Sequence, residues 1–239
     1  MSMPERQKIG RAFPDSPLPF SLFSAILEKS GADDAGGGSE NMKKLILIGD
    51  SIRIGYDAYV KEKLAGRAQV LYPAENGRFA QFVYRYLDHW QREGGWGSDA
   101  DVVHWNAGLW DVLHLGPGDD GPITTPEQYA VTLGQIARRI RSLFPRAVGV
   151  FAFSTPIVEA GYGPDVWRKN ADIERYNEIA REVLGREGTL IDDLYAVMKD
   201  APESARSDMT HFYTPEGTER IGNAVLRCVC PLMGLESVL

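Results

Sequence analysis

The apolar run Leu45-Ile-Leu-Ile48 passes without a break into Gly49-Asp50-Ser51, so a strand-like segment ends on a turn and offers a hydroxyl. A serine hydroxyl is a weak nucleophile until a neighbouring base removes its proton, and imidazole suits that task because it titrates near neutrality. The chain holds four histidines, at 89, 104, 114 and 211. His89 falls in a helical pattern and His104 inside a strand-like run, positions that favour packing; His114 follows in a loop as a reserve. His211 is the candidate base, because Asp208-Met209-Thr210-His211 places a carboxylate within one turn of the imidazole. Such a carboxylate fixes the tautomer and stabilises the imidazolium. The competing reading makes Asp208 a turn residue at the entry to the closing helix. Ser51 and His211 stand 160 residues apart in sequence, so their meeting is an expectation about the fold.

An acyl-transfer intermediate also needs donors aimed at its developing oxyanion, and losing one typically costs about 10²–10³ in rate. The backbone amides of Ser51 and Gly77 and the side-chain amide of Asn106 follow three different strand-like runs and are the expected donors. Turn glycine and loop cap are the plainer roles of Gly77 and Asn106. Arg78 and Arg168 are candidates to bind a substrate carboxylate or phosphate, with Glu75, Asp111 or Asp172 as their alternative partners. Trp110 belongs to a set with Trp105, Tyr162, Trp167 and Phe212 that suits a sugar face or an acyl chain, or plain packing.

These residues must be brought to one rim, and the pattern of the chain says how. Short apolar or β-branched runs at 45–48, 69–71, 102–105, 148–153 and 189–191 alternate with helical patterns at 56–64, 80–91, 126–144, 171–184 and 215–230. Thr214 with Pro215 is a helix-start signal. The alternation predicts an α/β fold with a parallel sheet covered on both faces, whose ligands sit beyond the carboxyl ends of the strands. Residues 108–125 and 157–170 are long enough to form rims or lids there.

Residues 1–41 differ in composition, with prolines at 4, 14, 17 and 19 and the stretch GADDAGGGSEN. They read as an extension or linker, with helix expected at 21–29, ahead of a domain over 42–239. The 33 acidic residues against 26 basic give a net charge of -7, which carries no footprint for nucleic acid or an anionic membrane. Neither a transmembrane run nor a clear signal peptide is present in the sequence, so a cytoplasmic location is expected. Cys228 and Cys230 are too close for a disulfide framework and match no zinc-ligand set. The Asp119-Asp120-Gly121 run lacks EF-hand spacing, and no metal is expected.

Gly49-Asp50-Ser51-Ile52, a glycine after the second strand, an asparagine after the third and Asp208-x-x-His211 together resemble the four blocks of the SGNH/GDSL hydrolases, in order, over about residues 43–230. The segments ENGRF, VVHWNAGLWD and WRKNADIERYN are similar to a bacterial branch of that family. The resemblance implies a flavodoxin-like three-layer α/β/α sandwich around a central parallel five-stranded sheet. It implies Ser51 as nucleophile, His211 as base, Asp208 as its orienting partner, and Ser51, Gly77 and Asn106 as the oxyanion hole. It further implies ester or thioester hydrolysis without metal or organic cofactor, on a small-molecule or glycan ester. In the third block Asn106-Ala107-Gly108-Leu109 replaces the family's Gly-x-Asn-Asp, so Asn106 and Gly108 remain alternatives for the third donor. The expected activity is removal of a small acyl group, most naturally acetyl, from a carbohydrate. A lysophospholipase or thioesterase, a non-catalytic binding module and a flavodoxin-like electron carrier are the alternatives. The last is disfavoured because GDSIRIG lacks a hydroxyl-rich phosphate loop.

Overall fold

The computed structural model describes residues 42–116, 118 and 120–237; the expected extension over 1–41, with its helix at 21–29, lies outside the described residues. Seven strands occur among them: β1 (Lys43–Ile48), β2 (Ala68–Leu71), β3 (Val102–Trp105), β4 (His114–Leu115), β5 (Val148–Ala152), β6 (Val166–Trp167) and β7 (Leu190–Asp192). The helices are α1 (Ser51–Ile54), α2 (Asp57–Lys63), α3 (Ala80–Glu93), α4 (Pro126–Leu143), α5 (Asn170–Arg186), α6 (Leu194–Lys199) and α7 (Pro215–Leu232).

Five strands form one parallel sheet in the order β2-β1-β3-β5-β7, the doubly wound order of flavodoxin-like folds. Leu45 to Ile48 are fully buried although successive side chains point to opposite faces, so both faces are covered. Helices α3, α4 and α5 pack in series on each other, while α7 packs against α2 and α6. These two sets are the outer layers of the sandwich. The expected flavodoxin-like fold with five parallel strands is therefore present.

Local chemistry sets the helix starts. Thr125 and Gln128 form a reciprocal capping box with Pro126 in the first turn of α4. The Thr214 hydroxyl accepts from the Gly217 amide at 3.1 Å with Pro215 in the first turn of α7. The N-terminus of α3 is capped from a distance: the Ala80 amide donates to the Asp111 carboxylate at 3.1 and 3.2 Å.

Three features go beyond the sequence expectation. Helix α1 opens immediately after β1, and α6 fills the connection to α7. Strands β4 and β6 pair antiparallel, His114 opposite Trp167 and Leu115 opposite Val166, so the two long segments after β3 and β5 are tied into one small ribbon.

Candidate active site

Strand β1 ends at Ile48, and the next two residues turn the chain so that Ser51 is the first residue of α1. Asp50 caps that helix: its Oδ1 accepts from the Ile52 amide at 2.9 Å and from Asn106 Nδ2 at 2.8 Å. Burial raises the Asp50 carboxyl above its ordinary value, against the opposing hydrogen bonds from Asn106 and Ile52 and the charges of Arg168 and His211. The turn is tightly packed. A Cβ on Gly49 would lie 1.8 Å from Asn106 Oδ1, and one on Gly77 would lie 2.7 Å from the Gly49 carbonyl oxygen. The ends of β1 and β2 can meet so closely only as glycine backbones.

The loop before α7 carries Asp208 and His211. Both oxygens of Asp208 reach His211 Nδ1, at 2.9 and 3.0 Å. Oδ1 also accepts from the amides of Thr210 at 2.7 Å and His211 at 2.8 Å. Burial works to raise the Asp208 carboxyl, but these hydrogen bonds and the nearby imidazole outweigh it and hold the group below its usual range. Asp208 is therefore a carboxylate at neutral pH and fixes Nδ1 of His211 as a donor.

A tyrosine that sequence reasoning passed over links the two segments. The Tyr213 phenol donates to the Ser51 backbone carbonyl at 2.7 Å, and its ring stacks on the His211 imidazole with centroids 4.6 Å apart and planes 23° from parallel. Burial pushes this phenol up to about 12, so it remains a donor across the physiological range. No hydrogen bond joins the Ser51 hydroxyl to His211 among the described residues; Tyr213 is the connection between them.

The expected oxyanion donors divide into two groups. The Gly77 amide, expected to face an oxyanion, donates to the Gly49 carbonyl at 2.8 Å. The left-handed conformation of that turn falls on Arg78, at φ 50°, whose amide is held by Asn76 Oδ1 at 2.7 Å. The Asn106 amide nitrogen bonds Asp50 from a fully buried position, where its Oδ1 has no partner. The amides of Ser51 and Gly108 make no hydrogen bond among the described residues, so these two donors are uncommitted.

Arg168, placed by the segment between β6 and α5, reaches both sides of the site. Its Nε donates to the Leu109 carbonyl at 2.6 Å and its Nη1 to the Tyr162 hydroxyl at 3.3 Å. Tyr162 in turn meets Thr210 Oγ1 at 2.6 Å, next to His211. The Arg78 guanidinium lies 4.8 Å above the Phe82 ring on the exposed surface. Trp110 is half-buried. Trp105 and Phe212 are packing residues of the core, and Trp167 stacks on His114 at 3.7 Å.

The other histidines have structural partners. His104 is fully buried, with Nε2 3.0 Å from Asp192 Oδ2 and Nδ1 3.2 Å from the Tyr56 hydroxyl. His114 Nε2 meets Asp172 Oδ2 at 3.0 Å, which fastens the β4–β6 ribbon to α5. His89 sits on α3 edge-on to Tyr86. Arg53, two residues past Ser51, is likewise buried, paired with Asp57 and donating to the Glu75 carbonyl at 2.7 Å; it locks α1 to the turn that carries Gly77.

A turn-borne serine, an imidazole oriented by a carboxylate and uncommitted backbone amides are the kinds of group that serine hydrolysis requires. The fold around them is that of the SGNH/GDSL hydrolases. A lipase/acylhydrolase from Enterococcus faecalis superposes with TM-score 0.63 at 22% identity, over 82% of this chain and 98% of that one. The acetyl xylan esterase AlAXEase gives 0.59 at 16% identity, over 78% and 99%. A GDSL-like lipase from Bacteroides thetaiotaomicron gives 0.58 at 13%, over 88% and 98%. No family model matches the chain, and no curated protein matches it.

Proposed function

We propose that this protein is a serine esterase that hydrolyses a small acyl ester, most naturally an acetyl group on a carbohydrate, through a covalent acyl-enzyme. The observation that carries the reading is the paired geometry of Asp208 with His211 Nδ1, beside a ring that bonds the Ser51 carbonyl. In this reading Ser51 Oγ attacks the ester carbonyl as His211 Nε2 takes its proton, and the same imidazole returns the proton to the leaving alkoxide. Water, deprotonated by His211, then releases the acid. Asp208 stabilises the imidazolium in both steps. The Ser51 amide faces the oxyanion, with Gly108 or the second N–H of Asn106 as further donors and Gly77 available if its bond to Gly49 exchanges. A small cleft lined in part by Ile52, Thr155, Thr210, His211 and Phe212 lies beside the proposed base. The acetyl xylan esterase of the same fold supports the carbohydrate ester. No organic cofactor or metal is needed for these steps.

A second reading, a lysophospholipase or thioesterase, is favoured by the exposed apolar side chains of Leu115, Ile123, Val158 and Val166, in the segments after β3 and β5, and of Met209, in the loop before α7. Hydrolysis of p-nitrophenyl acetate, butyrate and longer esters, with acetate release from peracetylated xylose, separates the two. The acetyl ester is expected to be preferred, and Ser51→Ala to lower kcat by several orders of magnitude with little change in Tm. A rate that climbs with chain length selects the second reading, and equal inactivity of folded wild type and variant would leave a binding module.

A further inference from the structure

We propose that Arg168 forms an anion subsite beside Ser51, so that the ester taken by this enzyme carries a carboxylate or a phosphate next to its acyl group. This rests on the esterase reading and names its substrate class more narrowly.

Twelve ion pairs occur among the described residues, and Arg168 is in none of them, although the chain carries 33 acidic residues. Its two hydrogen bonds go to neutral oxygens, the Leu109 carbonyl and the Tyr162 hydroxyl, and the residue is half-buried. A half-buried guanidinium that feels the Asp50 carboxyl but forms no ion pair among the described residues can still take an anion, and Nη2 is open to provide one arm of a bidentate contact.

Its location follows from the same bonds. Leu109 is the neighbour of Gly108, on the β3 side of the site. Through Tyr162 and Thr210 the guanidinium is two hydrogen bonds from the residue preceding His211. The guanidinium also lies 5.7 Å from the Tyr162 ring centroid, which limits its freedom. Both the Arg168 and the His211 charges are felt by the buried Asp50 carboxyl, the residue directly before Ser51. An arginine held between the third-strand loop and the histidine loop therefore sits where the remainder of a small ester would extend from the nucleophile. Pre-anchoring by two neutral acceptors lowers the entropic cost of presenting the guanidinium to a ligand.

Acetate release from acetylated glucuronate, from its methyl ester and from acetylated glucose 6-phosphate is measured for wild type, Arg168→Gln and Arg168→Lys. Wild type is expected to favour at least one anionic ester over the neutral methyl ester by about tenfold in kcat/KM, as one charge-assisted contact implies. The ratio should fall to near one in Arg168→Gln and recover in part in Arg168→Lys. Because each ratio is taken within a single protein, a general loss of activity does not alter it. The preferred anion identifies carboxylate or phosphate as the recognised group. An active wild type with a ratio near one, or a preference that survives Arg168→Gln, overturns the proposal. Wild type inert on every ester, p-nitrophenyl acetate included, overturns the esterase reading instead. The subsite is then decided by calorimetric titration of glucuronate and glucose 6-phosphate: binding that Arg168→Gln abolishes upholds it, and no binding removes it.

Discussion

His211 has two neighbours that shape its chemistry, and they act differently. Asp208 sets the tautomer through Nδ1, whereas Tyr213 lays a ring against the imidazole and anchors that ring on the Ser51 carbonyl. Removing only the hydroxyl, in Tyr213→Phe, keeps the stack and loses one neutral hydrogen bond, an effect of about 1 kcal/mol. The expected result is a fall in kcat of about three- to tenfold with KM nearly unchanged. Steady-state kinetics on p-nitrophenyl acetate checks it, and a rise in KM alone would mean that Tyr213 contacts substrate rather than positioning the base. Asp208 and His211 were legible as a pair because three residues of spacing confine both to one turn. Tyr213 was not, since nothing in an aromatic near the closing helix signals a bond to a carbonyl 162 residues earlier. Gly77 was legible as a required glycine but not for its reason: the sequence cannot distinguish a backbone conformation from a close approach, and here the left-handed residue is Arg78 while Gly77 serves the approach to Gly49.

Among elements, the five sheet strands and the long helices were readable because burial on two faces produces unbroken apolar runs and burial on one stripe produces helical spacing. The ribbon of β4 and β6 was not, since two residues per strand display no period. Helix α1 was hidden for a related reason: four residues after a turn look like more turn. Asp111 shows how one side chain serves an element far from it in sequence. It caps α3 from the loop after β3, and burial raises its carboxyl to about 7 against the bonds from Thr124 and Ala80. In the unfolded chain the group ionises near pH 4, while in the native state it keeps its proton to about 7. The native state therefore binds more protons across that window, and its stability falls as pH rises through it. Asp111→Asn retains an acceptor for the Ala80 amide without that charge. Its Tm relative to wild type is expected to rise between pH 4 and pH 8, by an amount worth a few kcal/mol at most. Thermal melts at both pH values check it; a constant difference would mean that the carboxyl titrates in the folded protein as it does in the unfolded chain.

For the molecule as a whole, stability should be graded outward from β1 and β3. Both are interior strands of the sheet with Leu45 to Ile48, Val102, Val103 and Trp105 at 0% exposure. The β4–β6 ribbon leaves Leu115 and Val166 exposed at its end, so little apolar burial opposes its opening. Hydrogen exchange should be slowest in β1 and β3 and faster by orders of magnitude in the ribbon; equal protection would mean that the ribbon opens only with global unfolding. The packing of α7 on α2 has a different kind of consequence. Tyr59 donates to Asn223 at 2.8 Å and Thr218 to the Gly55 carbonyl at 3.1 Å, so the last helix is joined to the segment that follows α1, and Ser51 and His211 are supplied from opposite ends of the described chain. During synthesis Ser51 leaves the ribosome about 160 residues ahead of His211, and β1 waits beside it for β3. Under the proposed mechanism a nascent or prematurely terminated chain thus contains Ser51 without His211, and hydrolytic competence would arrive only with the last helix.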